Sequence, residues 1–334
     1  MLAIQAQYKE LLSQYLKHQT ERNLYLGQNF SRLFVRKNIT PEEVISIHKK
    51  ALEEMDAVTS AEIFTSFEFL TEFMIQYGLA LRDHKILLEQ QEEMKHEIEL
   101  AAKVQNTMLR TESANLDGID IGYLSKPAGQ MNGDYVYFQS DDTDYLGVGV
   151  ADVVGKGIPA ALCMSMVKNG LDTLGQTNIS PAYALDVLNR IVVKSIADHM
   201  FISMFYGRYD NETSLFTYAS AGHEPALYYN SEEQKFYDLD QANGLLLGIL
   251  PDVHYLEGNI ELKQNDLIII MTDGVTECRT DEERFLTREE LTEFIFEVID
   301  EPPEQLVRSV YRRLEKFQSF HQRDDFTLAV IKKL

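Results

Sequence analysis

Hydrophobic positions divide the chain into two textures. Up to about residue 82, apolar residues recur at three- and four-residue spacing: Leu12, Tyr15 and Leu16, then Leu24, Leu26, Phe30, Leu33 and Phe34. That is the period of amphipathic helices. Thr40-Pro41-Glu42-Glu43 is a helix start signal, with Thr as N-cap, Pro at the first turn and Glu closing a capping box. The helix it opens carries Val44, Ile47, Ala51 and Met55 on one face. Thr59-Ser60-Ala61-Glu62 repeats the signal and opens a third helix through Ile63, Phe67, Leu70, Met74 and Tyr77. An all-α bundle over residues 1–82 is expected. His18 and His48 are isolated there, so they read as solvated or packed side chains, and the bundle as a docking or dimerisation module.

From residue 83 to 112 strong helix formers continue without Gly or Pro. Read as heptads, the a and d positions are Leu87, Gln91, Met94, Ile98, Ala101, Gln105 and Met108. Two glutamines and an alanine weaken such a seam while fixing its register. Two readings stand side by side: a linker helix packed on its own domain, and a marginal coiled coil formed or broken by what binds the bundle.

From residue 113 to 334 the texture becomes alternating strands, Gly turns and helices. Leu146–Val154 is an apolar, β-branched run closed by Gly155-Lys156-Gly157, and helical spacing resumes at Ile158-Pro159. Strands are also expected at Ile119–Leu124, Tyr135–Phe138, Met200–Tyr209, Ser214–Ala219, Ala226–Tyr229, Asp266–Met271 and Phe326–Ile331. Hairpin-linked strands with paired helices predict an α+β domain, a helix-flanked antiparallel β-sandwich layered α-β-β-α, rather than a parallel doubly wound sheet.

Four aspartates share one kind of position. Asp134, Asp152, Asp273 and Asp324 each stand where a strand meets a turn, and Asp152 and Asp273 close very apolar strands. One such residue is usually a turn former. Four of them, brought together by neighbouring strand ends, could not all ionise without a cation between them. Oxygen ligands without Cys or His select Mg²⁺ or Mn²⁺, and several carboxylates suit a two-metal site acting on a phosphoryl group.

Charge and composition then narrow the field. The net charge of −22 argues against nucleic acid or an anionic membrane as main partner, and disfavours a two-metal nuclease. The start, MLAIQAQYKELL, lacks the basic n-region of a signal peptide. The two cysteines, Cys163 and Cys278, make no disulfide framework, so a cytoplasmic setting is expected. Cys278 and Arg284 have the spacing of a cysteine phosphatase, but Asp281, Glu282 and Glu283 lie between them. They would raise the thiol pKa and repel phosphate. Gly155-Lys156-Gly157 is not a nucleotide P-loop.

Gly133-Asp134-Tyr135, ADVVGKGIPAAL from Ala151, SAGHEP from Ser220, TDGVTE from Thr272 and DDFTL from Asp324 occur in this order. Together they resemble the bacterial metal-dependent (type 2C, PPM) serine/threonine phosphatases, in the branch of the sporulation stage II E phosphatase, over residues 116–334. The resemblance implies that Asp152 bridges two Mn²⁺ or Mg²⁺ ions, with the Val153 backbone carbonyl as a further ligand. Asp273 and Asp324 complete the coordination, and Asp134 acts nearby through water. Gly133 and Asp325 stand beside them, Asp325 where relatives often have Asn. His223 does not match the acid histidine of eukaryotic relatives, and Lys156 is a candidate phosphate contact. The implied reaction is hydrolysis of phosphoserine by metal-activated water without a phosphoenzyme. The implied substrate is a phosphorylated anti-sigma-factor antagonist that releases a general stress sigma factor. A serine-kinase-like switch protein would dock on residues 1–82, and the activated chain would be a homodimer. The competing reading is a non-catalytic scaffold with a degenerate phosphatase fold, which the presence of all four aspartates opposes.

Overall fold

Caps set the helices of the first part of the chain. In the computed structural model, which describes residues 2–55, 59–111, 114–140, 144–155, 157–174, 179–195 and 200–334, α1 is Leu2–Lys17, α2 Glu21–Arg36, α3 Pro41–Glu53 and α4 Ser60–Met108. Both expected capping boxes form. Thr40 accepts from the Glu43 N–H while Glu43 accepts from the Thr40 N–H, and Thr59 and Glu62 do the same. The sequence pattern did not mark the break between α1 and α2. There Thr20 caps α2 by accepting from the Asn23 N–H, and the Asn23 amide donates back to the carbonyls of Gln14 and His18. The bundle closes over an aromatic core in which Tyr8, Phe34, Phe69 and Phe73 are all but fully buried. His48 is also buried there, its Nδ1 3.0 Å from the Tyr8 hydroxyl.

The chain divides into two compact units, Met1–Glu97 and Ile98–Leu334. The division falls inside α4, which runs unbroken from Ser60 to Met108. The last turns of α4 belong to the second unit, where Ala102 and Gln105 are buried and Leu109 packs on the core. Residues 98, 102, 105 and 109 recur at the 3.6-residue period of one helix face.

Eleven strands follow among the described residues: β1 Ile119–Lys126, β2 Asp134–Ser140, β3 Tyr145–Val153, β4 Ile202–Asp210, β5 Leu215–Ala221, β6 Ala226–Asn230, β7 Lys235–Leu239, β8 Asn243–Gly244, β9 Gly258–Glu261, β10 Leu267–Met271 and β11 Phe326–Lys333. Helices α5 Ile158–Leu174 and α6 Pro181–Ser195 lie between β3 and β4. Helices α7 Asp273–Thr276, α8 Arg288–Phe296 and α9 Pro303–Phe317 lie between β10 and β11. One sheet has the order β1-β11-β10-β6-β7. The other has β2-β3-β4-β5-β8, with β9 also on β5. Every pairing is antiparallel except β5 with β8.

Strand alternation builds the layers. Val136, Phe138, Val148 and Val150 meet Ile268, Ile270, Ala329 and Ile331 between the sheets. The alternate residues Tyr135, Tyr137, Ala151 and Val153 face α5 and α6. Leu267, Ile269 and Met271 face α8 and α9. The second unit is therefore the expected α-β-β-α sandwich, preceded by the helical region. Burial on both faces explains why β3 and β10 read as continuous apolar runs.

Candidate metal centre

Strand alternation also decides where the acidic side chains go. Asp134 has the parity of Val136, Asp152 that of Val150, and Thr272 that of Ile270. Asp325 and Thr327 have the parity of Ala329. All five belong to the face between the sheets, at the strand ends where apolar residues give out. Antiparallel register sets Asp134 directly opposite Asp152, and Asp152 opposite Ser203 on its other side.

The second sheet contributes through β10 and β11. The Thr272 hydroxyl donates to Asp134 Oδ2 at 2.8 Å and accepts from the Thr327 N–H at 3.2 Å. Thr272 and Asp134 are both buried, so this bond ties one sheet to a carboxylate of the other. Asp273 follows at the first residue of α7. Gly274 is required next to it, because a Cβ there would lie 1.9 Å from the Asp325 carbonyl oxygen.

Asp325 grips the loop before β2. Its Oδ1 accepts from the Ala128 N–H at 2.7 Å and its Oδ2 from the Gly133 N–H at 2.5 Å. A Cβ on Gly133 would sit 3.2 Å from Asp325 Oδ2 and 3.6 Å from Asp152 Oδ1, so glycine keeps the loop tight against both acids. Asp324 is exposed at the rim, and its Oδ1 accepts from the Asp325 N–H. The turn leaving β3 uses Gly155 and Gly157 at φ +125° and +82°, a region open to glycine. Lys156, between them, lies outside the described residues. Val153 ends β3 with its side chain in the core.

The electrostatics follow from burial and crowding. Burial first, then Asp152, holds the Asp134 carboxyl well above its ordinary range, and the hydroxyls of Thr327 and Thr272 oppose this. Asp152 is raised by burial and by Asp324 and Asp325, while its bond to Asp134 works the other way. Asp273 is pushed up to about 6, by burial first and then by Asp152 and Asp324. Acids that raise one another in a partly buried pocket, eased by hydroxyls and backbone groups, fit a divalent cation as the missing charge. Among the described residues no three carboxylates stand closed up as a finished ligand cluster. The fit rests on the convergence and the all-oxygen donor set.

His223 is buried beside the site. Its Nδ1 is 2.8 Å from the Ser203 hydroxyl, and burial pushes the imidazole down to about 4. Among the described residues its Nε2 closes no hydrogen bond, although the Met271 backbone favours the charged form. The ring spans from the neighbour of Asp152 to the strand that leads into Asp273. Motif and spacing do not single out Thr272 and Thr327. Their signal was a hydroxyl residue at the inward parity of an apolar strand end.

Of the seven seam positions, Leu87, Gln91, Met94 and Met108 are exposed, and Ile98 and Ala101 are half-buried. Gln105 is buried against the site loop, donating to the Asn132 carbonyl at 2.6 Å and accepting from the Asn132 N–H at 3.2 Å.

A sandwich with this layering and acids at one end is the architecture of type 2C phosphatases, and comparison with known proteins agrees. Residues 142–333 match the family described as Stage II sporulation protein E (SpoIIE). The chain belongs to that branch of the metal-dependent serine/threonine phosphatases. Residues 6–80 match the N-terminal domain of the phosphoserine phosphatase RsbU. The chain is 46% identical over 330 residues to RsbU of Bacillus subtilis strain 168, covering 99% of this chain and 98% of the relative. Among solved structures, the SiaA PP2C domain of Pseudomonas aeruginosa superposes with a TM-score of 0.63 at 18% identity, over 73% of this chain and 98% of that one. RsbX in complex with magnesium gives 0.50 at 16% identity, over 66% of this chain and 97% of that one. These two likenesses concern the fold.

Proposed function

We propose that the chain is a phosphoserine protein phosphatase that dephosphorylates an anti-sigma-factor antagonist and so switches on a general stress sigma factor. The observation that carries the reading is the pairing of Asp134 with Asp152, coupled to Asp273, Asp324 and Asp325 from the other sheet. In this reading Asp152, the Val153 carbonyl, Asp273 and Asp324 would hold two Mn²⁺ or Mg²⁺ ions, and Asp134 would order water beside them. Bound ions of this kind acidify water and draw charge from a phosphoryl group.

The chain's own residues supply the rest. Thr272 holds Asp134 in place, and Asp325 holds the loop that carries Gly133. The rim position of Asp324 suits entry of a phosphoserine presented by another protein. Fully buried and neutral, His223 sets the spacing of the two sheets rather than moving a proton. Lys156 remains a candidate phosphate contact on sequence grounds.

The regulatory part of the proposal rests on the match of residues 6–80 to the RsbU N-terminal domain. A serine-kinase-like switch protein docks on the bundle, and the exposed seam positions of α4 pair in an activated homodimer. Among the described residues no helix is long and apolar enough to cross a membrane; action in the cytoplasm, without membrane or nucleic acid, is part of the proposal. The test is release of phosphate from a phosphoserine-bearing antagonist protein with and without Mn²⁺. Asp152→Asn and Asp273→Asn should each lower the Mn²⁺-dependent rate by about 100-fold or more, roughly 3 kcal/mol of lost transition-state stabilisation. Wild-type rates in either variant would overturn the assignment.

A further inference from the structure

The Gln105 side chain treats the backbone of Asn132 as a strand would. One amide accepts from its N–H and donates to its C=O, and both groups are satisfied only if helix and loop hold one relative position. Asn132 passes that position on. Its Oδ1 accepts from the Asp134 N–H at 3.0 Å, and its Nδ2 donates to Ser125 Oγ at 2.7 Å. Ser125 Oγ in turn accepts from Thr327 Oγ1 at 3.0 Å, which returns to the β11 end of the acidic cluster.

Among the described residues few side chains hold the loop, Gln322 donating to the Lys126 carbonyl where it leaves β1. Residues Ala128–Met131 border an apolar cavity of about 460 Å³ shared with Ile98, Ile158 and Pro159, so space rather than packing lies on that side. The described hydrogen bonds that hold its two ends come from Asp325, Ser125, Gln322 and Gln105. Of these, Gln105 alone sits on a helix, and that helix runs unbroken from Ser60.

We infer that Gln105 is a positioning residue of the metal centre: its two hydrogen bonds to Asn132 set the register of Asp134, and so link the rotation of α4 to metal affinity. The inference rests on the metal reading given above. It differs from the seam reading, in which position 105 faces a second helix. A turn of α4 that carried Gln105 into such a seam would take it off Asn132, so the two roles of this side chain exclude each other.

The test uses the full-length chain. Gln105→Leu keeps the bulk and removes both bonds, and Gln105→Asn keeps the chemistry but falls one methylene short. In metal-free protein, hydrogen–deuterium exchange at residues 132–134 should rise at least tenfold in both variants, while β10 and β11 stay within twofold of wild type. By calorimetric titration, Mn²⁺ should bind at least tenfold more weakly. Exchange and Mn²⁺ affinity within twofold of wild type would overturn the inference. So would equal loss of protection in the loop, β10 and β11 in both variants, which makes Gln105 a general packing residue. A wild-type chain that bound no Mn²⁺ would overturn the metal reading instead, and the exchange result would still decide the role of Gln105.

Discussion

Thr272 offers the sharpest test of how the two sheets are joined at the site. Thr272→Val preserves shape and removes the hydroxyl that donates to Asp134 Oδ2 at 2.8 Å and accepts from the Thr327 N–H at 3.2 Å. A hydrogen bond to a buried carboxylate contributes about 1.5–3 kcal/mol, and a buried N–H left without its acceptor costs about 1 kcal/mol more. The sum, about 2.5–4 kcal/mol, would lower the melting temperature of a domain this size by about 5–16 °C. The hydroxyl opposes the rise in the Asp134 pKa because it favours the charged form. The deficit should therefore grow as pH rises through the titration of Asp134. The chain has no tryptophan, so scanning calorimetry at pH 5.5 and pH 8 is the suitable assay. Thr272→Ser, which keeps the hydroxyl, should recover most of the loss. A valine variant within about 0.5 kcal/mol of wild type, the usual range for surface changes, would refute the reasoning. So would a serine variant no better than valine.

Two further outcomes follow from the same geometry. The Asp273 carboxyl, pushed up to about 6, holds its proton more tightly folded than unfolded, so in metal-free protein its contribution is present at low pH and lost as pH rises through 6. His48 and His223, pushed down to about 4 by burial, act oppositely, contributing above their unfolded value near 6.5 and losing it as pH falls toward 4. The increase in melting temperature on adding Mn²⁺ isolates the acids: it should be larger at pH 7.5 than at pH 5 by calorimetry, and an equal increase at both would contradict the carboxylate site. On the exposed stretch of α4, Gln91→Leu should strengthen pairing of the seam and shift the chain toward dimer in light scattering; an unchanged mass would count against the seam.

Local chemistry was the most legible part of the sequence. The capping boxes at Thr40 and Thr59 depend on four consecutive residues each, and both form as read. The break before Thr20 was not visible, because apolar spacing runs across it and its closure depends on Asn23 reaching back to Gln14 and His18. The strand-end positions of Asp134, Asp152, Asp273 and Asp324 were readable from apolar runs ending in turns. Their assembly was not, since it requires knowing which strands pair and in which register. Asp325 shows the difference. In the DDFTL run Asp324 and Asp325 look alike, yet the parity of β11 turns Asp325 inward to the backbone of Ala128 and Gly133. Heptad and helical periods share Ile98 and Gln105 and diverge at the next positions, 101 and 108 against 102 and 109. The pattern alone therefore left open which partner α4 faces, and only the position of Asn132 shows where the Gln105 amide goes.

The central claim is that acids from both sheets together hold divalent cations. Calorimetric titration of the metal-free full-length chain with Mn²⁺ tests it most directly, with Asp152→Asn in parallel. Two ions per wild-type chain are expected, with at least tenfold weaker binding in the variant, which lacks the proposed shared ligand. Equal stoichiometry and affinity in the two proteins would contradict it.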